Sequence, residues 1–267
     1  MMYLLILFAI SLLVSSIGWK YFIYFFSVGY GFSVATLSLA IFLLFFNSVT
    51  IPMLIVCGIL CFYGCRLGFY LLKRERKSSS YRKILYDPSI TTKKPLGVII
   101  TVWLFCAVLY VCQVSPVAFR LANMKDGMAI SSTWAWISAA TMLLGTLLET
   151  IADAQKSKAK KINPGRFVTT GLYRVVRCPN YLGEVVLWTG SLLCCVGAHC
   201  SVWQWIIAAL GYIGILYVMF SGARRLEIRQ NSTYGNDPEY QKYVAKTPIL
   251  IPLLPLYSVV KYEWLKA

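Results

Sequence analysis

The sequence predicts an all-α, polytopic membrane protein of about seven transmembrane helices with a cytosolic C-terminal segment. Three observations carry this. Hydrophobic residues make up 58% of the 267, with a mean hydropathy of +0.66, against roughly 45–50% apolar residues in a soluble domain. Charged residues make up 13%, about half the usual share of roughly 25%, and the first 72 residues hold only Lys20 and Arg66. Several apolar stretches also reach the length of about 20 residues that crosses a bilayer. The whole of 1–267 reads as a single membrane domain.

The spans are expected at roughly 2–18, 22–46, 49–72, 96–116, 129–150, 180–198 and 202–221. The first is apolar from Met1 to Ile17, with no positive side chain ahead of it and no small-residue cleavage site behind it, so it reads as a retained span rather than a signal peptide. The second is open between one tilted helix and a broken one, because Gly29 and Gly31 interrupt it. The third carries Cys57, Cys61 and Cys65 every four residues, a row of small side chains on one helix face. The same helix holds Gly64-x-x-x-Gly68, suited to helix contact within or between chains, which leaves the oligomeric state open. The sixth starts at Pro179, which suits a first helical turn because its missing N–H costs nothing there. After Arg225 the chain turns polar, and the apolar tail that follows holds Pro248, Pro252 and Pro255, which exclude a spanning helix. A short segment folded against the membrane face is expected there.

Charge sets the orientation. The loop 73–95 holds Lys73, Arg74, Arg76, Lys77, Arg82, Lys83, Lys93 and Lys94, and another basic run extends from Lys156 to Arg177. A third contains Arg224, Arg225, Arg229, Lys242 and Lys246. The connections 47–49 and 199–201 carry no Lys or Arg, and 117–128 sets Arg120 and Lys125 against Asp126. The positive-inside rule then puts the C-terminus in the cytosol and the N-terminus outside or in the lumen. In a eukaryotic cell the endoplasmic reticulum is the expected membrane. The sequon at Asn231 falls on the cytosolic side and is expected to stay unglycosylated.

The net charge of +16 is explained by topology and anionic lipid, not nucleic acid, since no basic-aromatic module stands apart from the spans. The nine cysteines include no CxxC pair, so neither a zinc site nor a disulfide framework is signalled. His199, the single histidine, lies in a neutral connection away from the basic face and reads as incidental. No nucleophile–histidine triad, GxGxxG or P-loop is present.

Ionisable groups at membrane depth cost about 2.5–3.5 kcal/mol each and are functional candidates by default. Glu149 and Asp153 are four apart and share a helix face at the end of span five. From Gly171 the chain reads through Arg174, Arg177, Asn180 and Tyr181 to Glu184. A helix N-terminus flanked by arginines suits phosphate. Asn180 and Glu184 again fall on one face, and Glu184, a turn inside a span, needs a hydrogen-bonding partner. Arg224, Arg225, Glu227 and Arg229, with Tyr240 and Tyr243, are open between a second phosphate clamp and a stop-transfer cluster. Tyr63 and Arg66 share a face of span three.

The segments Glu149-Thr-Ile-Ala-Asp153-Ala-Gln155-Lys156, Gly171-Leu-Tyr-Arg174 and Arg177-Cys-Pro-Asn180-Tyr181-Leu-Gly183-Glu184 resemble the C-terminal domain of the steroid 5α-reductase family. The nearest likeness is to its DUF1295 branch. Sterol Δ14- and Δ7-reductases and isoprenylcysteine carboxyl methyltransferases are similar in a more distant form. The resemblance implies seven membrane helices and a cytosol-facing NADPH site. It further implies an NADPH-dependent oxidoreductase that reduces a carbon–carbon double bond conjugated to a carbonyl in a lipid substrate. On this likeness Asp153, Arg177, Asn180, Tyr181 and Glu184 fall at the nicotinamide-ribose and phosphate end, with Glu149, Arg174, Arg224 or Arg225, and Tyr243 near cofactor contacts. Tyr63-Gly-Cys-Arg66 resembles a Tyr-x-x-Arg whose tyrosine polarises the substrate carbonyl, with Arg66 on the cofactor side. Residues 1–148 would then face substrate and 149–255 would hold cofactor.

Two departures bear on this. Cys178 stands where the common form has His, which the methyltransferases use near their cofactor. No Asp or Glu precedes Glu75, so the early glutamate of steroid reductases has no counterpart, which argues against a steroid. The other readings are an S-adenosylmethionine-dependent lipid or isoprenylcysteine methyltransferase and a non-catalytic membrane protein.

Overall fold

The computed structural model describes residues 2–77 and 94–265. The stretch of the first basic loop with Arg82, Lys83 and Lys93 lies outside the described residues. Among the described residues there are eight α-helices and no strand: α1 Met2–Ser15, α2 Val28–Leu44, α3 Ile51–Lys77, α4 Leu96–Lys125, α5 Thr133–Ile162, α6 Pro179–Leu193, α7 Val202–Tyr234 and α8 Pro238–Lys246. Six described segments are long and apolar enough to cross a membrane: Met2–Trp19, Phe22–Leu44, Ile51–Arg76, Leu96–Lys125, Thr133–Ile162 and Val202–Tyr234. The chain is therefore a polytopic helical membrane protein.

The helix expected at 180–198 ends earlier: α6 has 15 residues and rises about 22 Å, and Cys194, Cys195 and Val196 carry the chain on in tighter turns that bond three residues back. Beyond Leu193 the chain enters turns, in which Gly197 and His199 take left-handed backbone angles of φ 65° and 50°. The expected loop at 117–128 is also corrected. Helix α4 runs on through Pro116 to Lys125, and Arg120 is 1% exposed.

The chain divides into two compact units. The first comprises Met1–Ala139 with Gly190–Tyr212. Within it α2 packs on α3 because glycines let the backbones touch. A Cβ on Gly64 would lie 2.5 Å from both Ala35 N and Gly31 O, and one on Gly31 would lie 2.6 Å from Gly68 N. The Gly64-x-x-x-Gly68 face is thus spent inside the chain. Gly29 and Gly31 do not break α2: the interruption falls earlier, between the 3₁₀ turn Phe22–Phe25 and Val28. Arg120 donates from Nη1 to the carbonyls of Cys194 and Val196, each at 3.3 Å, and from Nη2 to Ser131 O. Asn123 Nδ2 donates to Ala198 O at 2.8 Å. A cation over the carbonyls beyond the end of α6 suits the negative pole of that helix.

The second unit comprises Ala140–Thr189 with Ile213–Ala267. Here α5 and α6 meet through the same device: a Cβ on Gly145 would lie 2.3 Å from Leu187 N, and one on Gly183 would lie 2.6 Å from Glu149 N. The proline-rich tail does not form a spanning helix. It turns on the surface with Ile249 and Leu250 buried and Leu253 wholly exposed.

Replacing Gly64 with Val should force the two backbones of the first unit apart and destabilise it by about 1–3 kcal/mol or more, as overpacking does. Gly58, whose Cβ would meet nothing within 4 Å, should accept Ala with no loss. Thermal unfolding of the two variants in detergent micelles checks the contrast.

Candidate cofactor site

Helix α5 begins the site. Glu149 and Asp153 are 4% and 8% exposed, and the Gly183 contact fixes α6 against the backbone at Glu149. Two turns on, Gln155 Oε1 accepts from Leu172 N at 2.9 Å. Gly171 has φ +62°, and a Cβ on it would lie 2.4 Å from Gln155 Oε1. The left-handed backbone angle favours glycine at 171, and a side chain there would also displace the Gln155 amide. The Gln155 contact pins the loop that leads to α6, and the loop carries the 3₁₀ turn Gly171–Arg174. Tyr173 OH donates to Ala152 O at 3.4 Å, and Tyr243 OH from α8 donates to Tyr173 O at 2.7 Å. Burial raises the pKa of Tyr243, so it stays a phenol and a donor.

Just before α6 the backbone pairs with the tail. Arg177 N donates to Pro248 O and Cys178 N to Ile249 O, both at 2.9 Å. The Arg177 side chain closes the same junction. Its Nη2 donates to Glu227 Oε1 at 2.9 Å, with both side chains 1% exposed, and also to Tyr257 O. Glu227 Oε2 accepts from Val259 N at 2.9 Å. Arg224 Nε donates to Val260 O at 3.1 Å. One buried ion pair therefore joins the α6 entrance, α7 and the tail.

Two guanidinium nitrogens of Arg177, Nε and Nη1, are buried with no hydrogen-bond partner among the described residues. Donors left so cost free energy unless something accepts from them. In α6 itself, Glu184 is 7% exposed while Asn180 and Tyr181 are half-buried. Tyr181 packs its ring 3.3 Å from where a Gly222 Cβ would stand, so any larger residue there would have to displace the ring by a few tenths of an ångström. Arg174 and Arg225 are exposed. Burial pushes the Cys178 thiol up to about 12, against the pull of Lys156 and Arg177. It is a neutral packing group and no nucleophile. A groove of about 330 Å³ in this unit is lined by Asn231, Tyr240, Gln241, Val244 and Tyr257 among others, and Tyr257 is the residue whose carbonyl accepts from Arg177.

Ten of the twelve sequence candidates thus share the second unit: Glu149, Asp153, Arg174, Arg177, Asn180, Tyr181, Glu184, Arg224, Arg225 and Tyr243. The other two, Tyr63 and Arg66, belong to the first. Tyr63 is fully buried, with the Arg66 guanidinium 5.9 Å from its ring centre. Sequence reasoning missed the tail's part in the site. The only signal was indirect: three prolines that forbid a helix leave backbone groups which must pair elsewhere.

A protein family described as a protein of unknown function, DUF1295, matches residues 18–247. The chain belongs to this family. No curated protein and no solved structure matches the chain. The DUF1295 match takes in α2 to α8 and every candidate residue, and it stops where the tail that pairs with Arg177 begins.

In this DUF1295 chain, Glu227→Ala should destabilise the second unit by about 3–5 kcal/mol, because it leaves the Arg177 charge buried without its partner. Limited proteolysis should then cut the tail near Tyr257, as Val259 N loses its acceptor too. Arg166→Ala, which removes an exposed ion pair with Glu239, should leave the same cleavage pattern unchanged.

Proposed function

We propose that this protein is a membrane-embedded NADPH-dependent reductase of a carbon–carbon double bond conjugated to a carbonyl in a lipid. The observation that carries the reading is the pair of unspent Arg177 donors, buried at the N-terminal end of α6. Buried guanidinium N–H groups at a helix start suit phosphate oxygens. The carboxylates of Asp153 and Glu184, buried in the same unit, suit hydroxyl and amide donors. This donor set fits a nicotinamide dinucleotide. Arg177 and Asn180 would hold its phosphate and ribose end, and Asp153, Glu184 and Tyr181 would hold its ribose and amide donors. Arg174 and Arg225, being exposed, would meet the outer phosphates.

The cofactor, when bound, supplies the hydride. The chain's own work is orientation and charge stabilisation. Tyr63 would donate a hydrogen bond to the substrate carbonyl oxygen as negative charge develops there, an oxyanion stabilisation. The neutral Cys178 thiol takes no proton, which leaves the α6 entrance to binding alone. Apolar helices 20 or more residues long support a substrate that arrives from the bilayer, and the basic loops support a cytosolic site.

Thermal unfolding in micelles tests the reading. NADPH at a hundredfold excess over its Kd should stabilise the protein by about 2.7 kcal/mol. Glu184→Gln and Asn180→Ala should each remove most of that shift. Tyr63→Phe should keep the shift and lose turnover of an enone lipid. A shift with S-adenosylmethionine in place of NADPH would overturn the proposal in favour of methyl transfer.

A further inference from the structure

In the first unit, the turn that follows α6 carries Cys195 and Cys200, five residues apart. Two residues between them take left-handed angles, Gly197 at φ 65° and His199 at φ 50°, and Ala198 N donates back to Cys195 O at 3.2 Å. A positive φ at a non-glycine residue is uncommon, and here it belongs to a turn that folds the chain back on itself. The turn sets both cysteines on one apolar cluster: Cys195 lies in it with Phe119 and Ala208, and Cys200 packs against it.

Their surroundings differ. Cys195 is 1% exposed, whereas Cys200 is half-buried and within reach of a small reagent. The neighbouring Cys195 thiol, helped by the Arg120 guanidinium, holds the Cys200 pKa below the usual thiol value against the effect of burial. A thiolate-prone, accessible sulfur beside a buried one is the arrangement of an attacking and a resolving cysteine. The connection 199–201 carries no Lys or Arg. By the positive-inside rule it faces the exterior or lumen, where disulfides persist.

We propose that Cys195 and Cys200 form a redox-active pair that closes to a disulfide across the turn after α6, with a low-molecular-weight disulfide such as glutathione disulfide as oxidant. The Cys200 thiolate attacks one sulfur of that disulfide, its S–S bond breaks, and one thiolate leaves and takes a proton. The Cys195 sulfur, losing its proton to solvent, then attacks the Cys200 sulfur of the mixed disulfide. The second thiolate leaves and is protonated in turn. The two cysteines lose two electrons and two protons, and the oxidant becomes two thiols.

The test uses the full chain in micelles, equilibrated with glutathione and glutathione disulfide, then acid-quenched, alkylated and digested for peptide mass. The expected product is one internally bridged peptide containing Cys195 and Cys200, lighter by two hydrogens and restored by reductant. Cys195→Ser should instead trap one glutathionyl group on Cys200, and Cys200→Ser should leave Cys195 unmodified. Alkylation of both cysteines in the wild type across the whole redox range would overturn the proposal. So would a stable glutathionyl adduct on wild-type Cys200. Circular dichroism of each variant establishes that it is folded, so that a misfolded protein is not read as an answer.

Discussion

Arg177 and Glu227 face one another 2.9 Å apart, each 1% exposed, and the second unit is organised around that contact. Burying two such charges costs several kcal/mol per ion before their attraction returns any of it. The cost is offset only if the remaining lone pairs and protons find partners. Glu227 satisfies its second oxygen on Val259 N, and Arg177 reaches Tyr257 O. The tail is thereby drawn under the entrance to α6, and the backbone pairs at Pro248 and Ile249 follow. What the pair leaves over is two buried guanidinium nitrogens of Arg177, the donors on which the proposed anion site rests.

Close backbone approach is the second constraint, and both units use it. Gly31 and Gly64 do for α2 and α3 what Gly145 and Gly183 do for α5 and α6. In a bilayer the lipid tails are as apolar as leucine, so helices gain little by burying apolar side chains against each other. Tight packing through small residues supplies the contact instead. In the second unit that packing also has a chemical consequence, since Gly183 sets the distance from α6 to Glu149.

The helical membrane class was legible because composition and span length leave few alternatives. The segments from Glu149 to Glu184 were legible as belonging together, and they do share one compact unit, because their acids, amides and arginines recur at helical spacing in an otherwise apolar chain. The end of the sixth helix was not. Hydropathy continues past Leu193, but the α-helix does not: Cys194, Cys195 and Val196 bond three residues back in tighter turns, and left-handed angles at Gly197 and His199 follow. Arg120 was read as a loop charge because a cation in an apolar run with Pro116 nearby looks like a boundary. In fact its N–H groups are accepted by carbonyls from the turn after α6, which are remote in sequence. Pairing of the tail with Arg177 was illegible for the same reason: backbone acceptors leave no mark on side-chain pattern.

The central claim is that Arg177 holds two jobs, one in the frame and one toward a dinucleotide phosphate, and a double substitution separates them. Arg177→Leu with Glu227→Leu removes both buried charges, which proteins often tolerate or even prefer to the pair. Equilibrium binding of NADPH to this variant, by fluorescence titration in micelles, is the direct measurement. The account predicts a folded protein that no longer binds the dinucleotide. A folded double variant that binds it as tightly as the wild type would contradict the account.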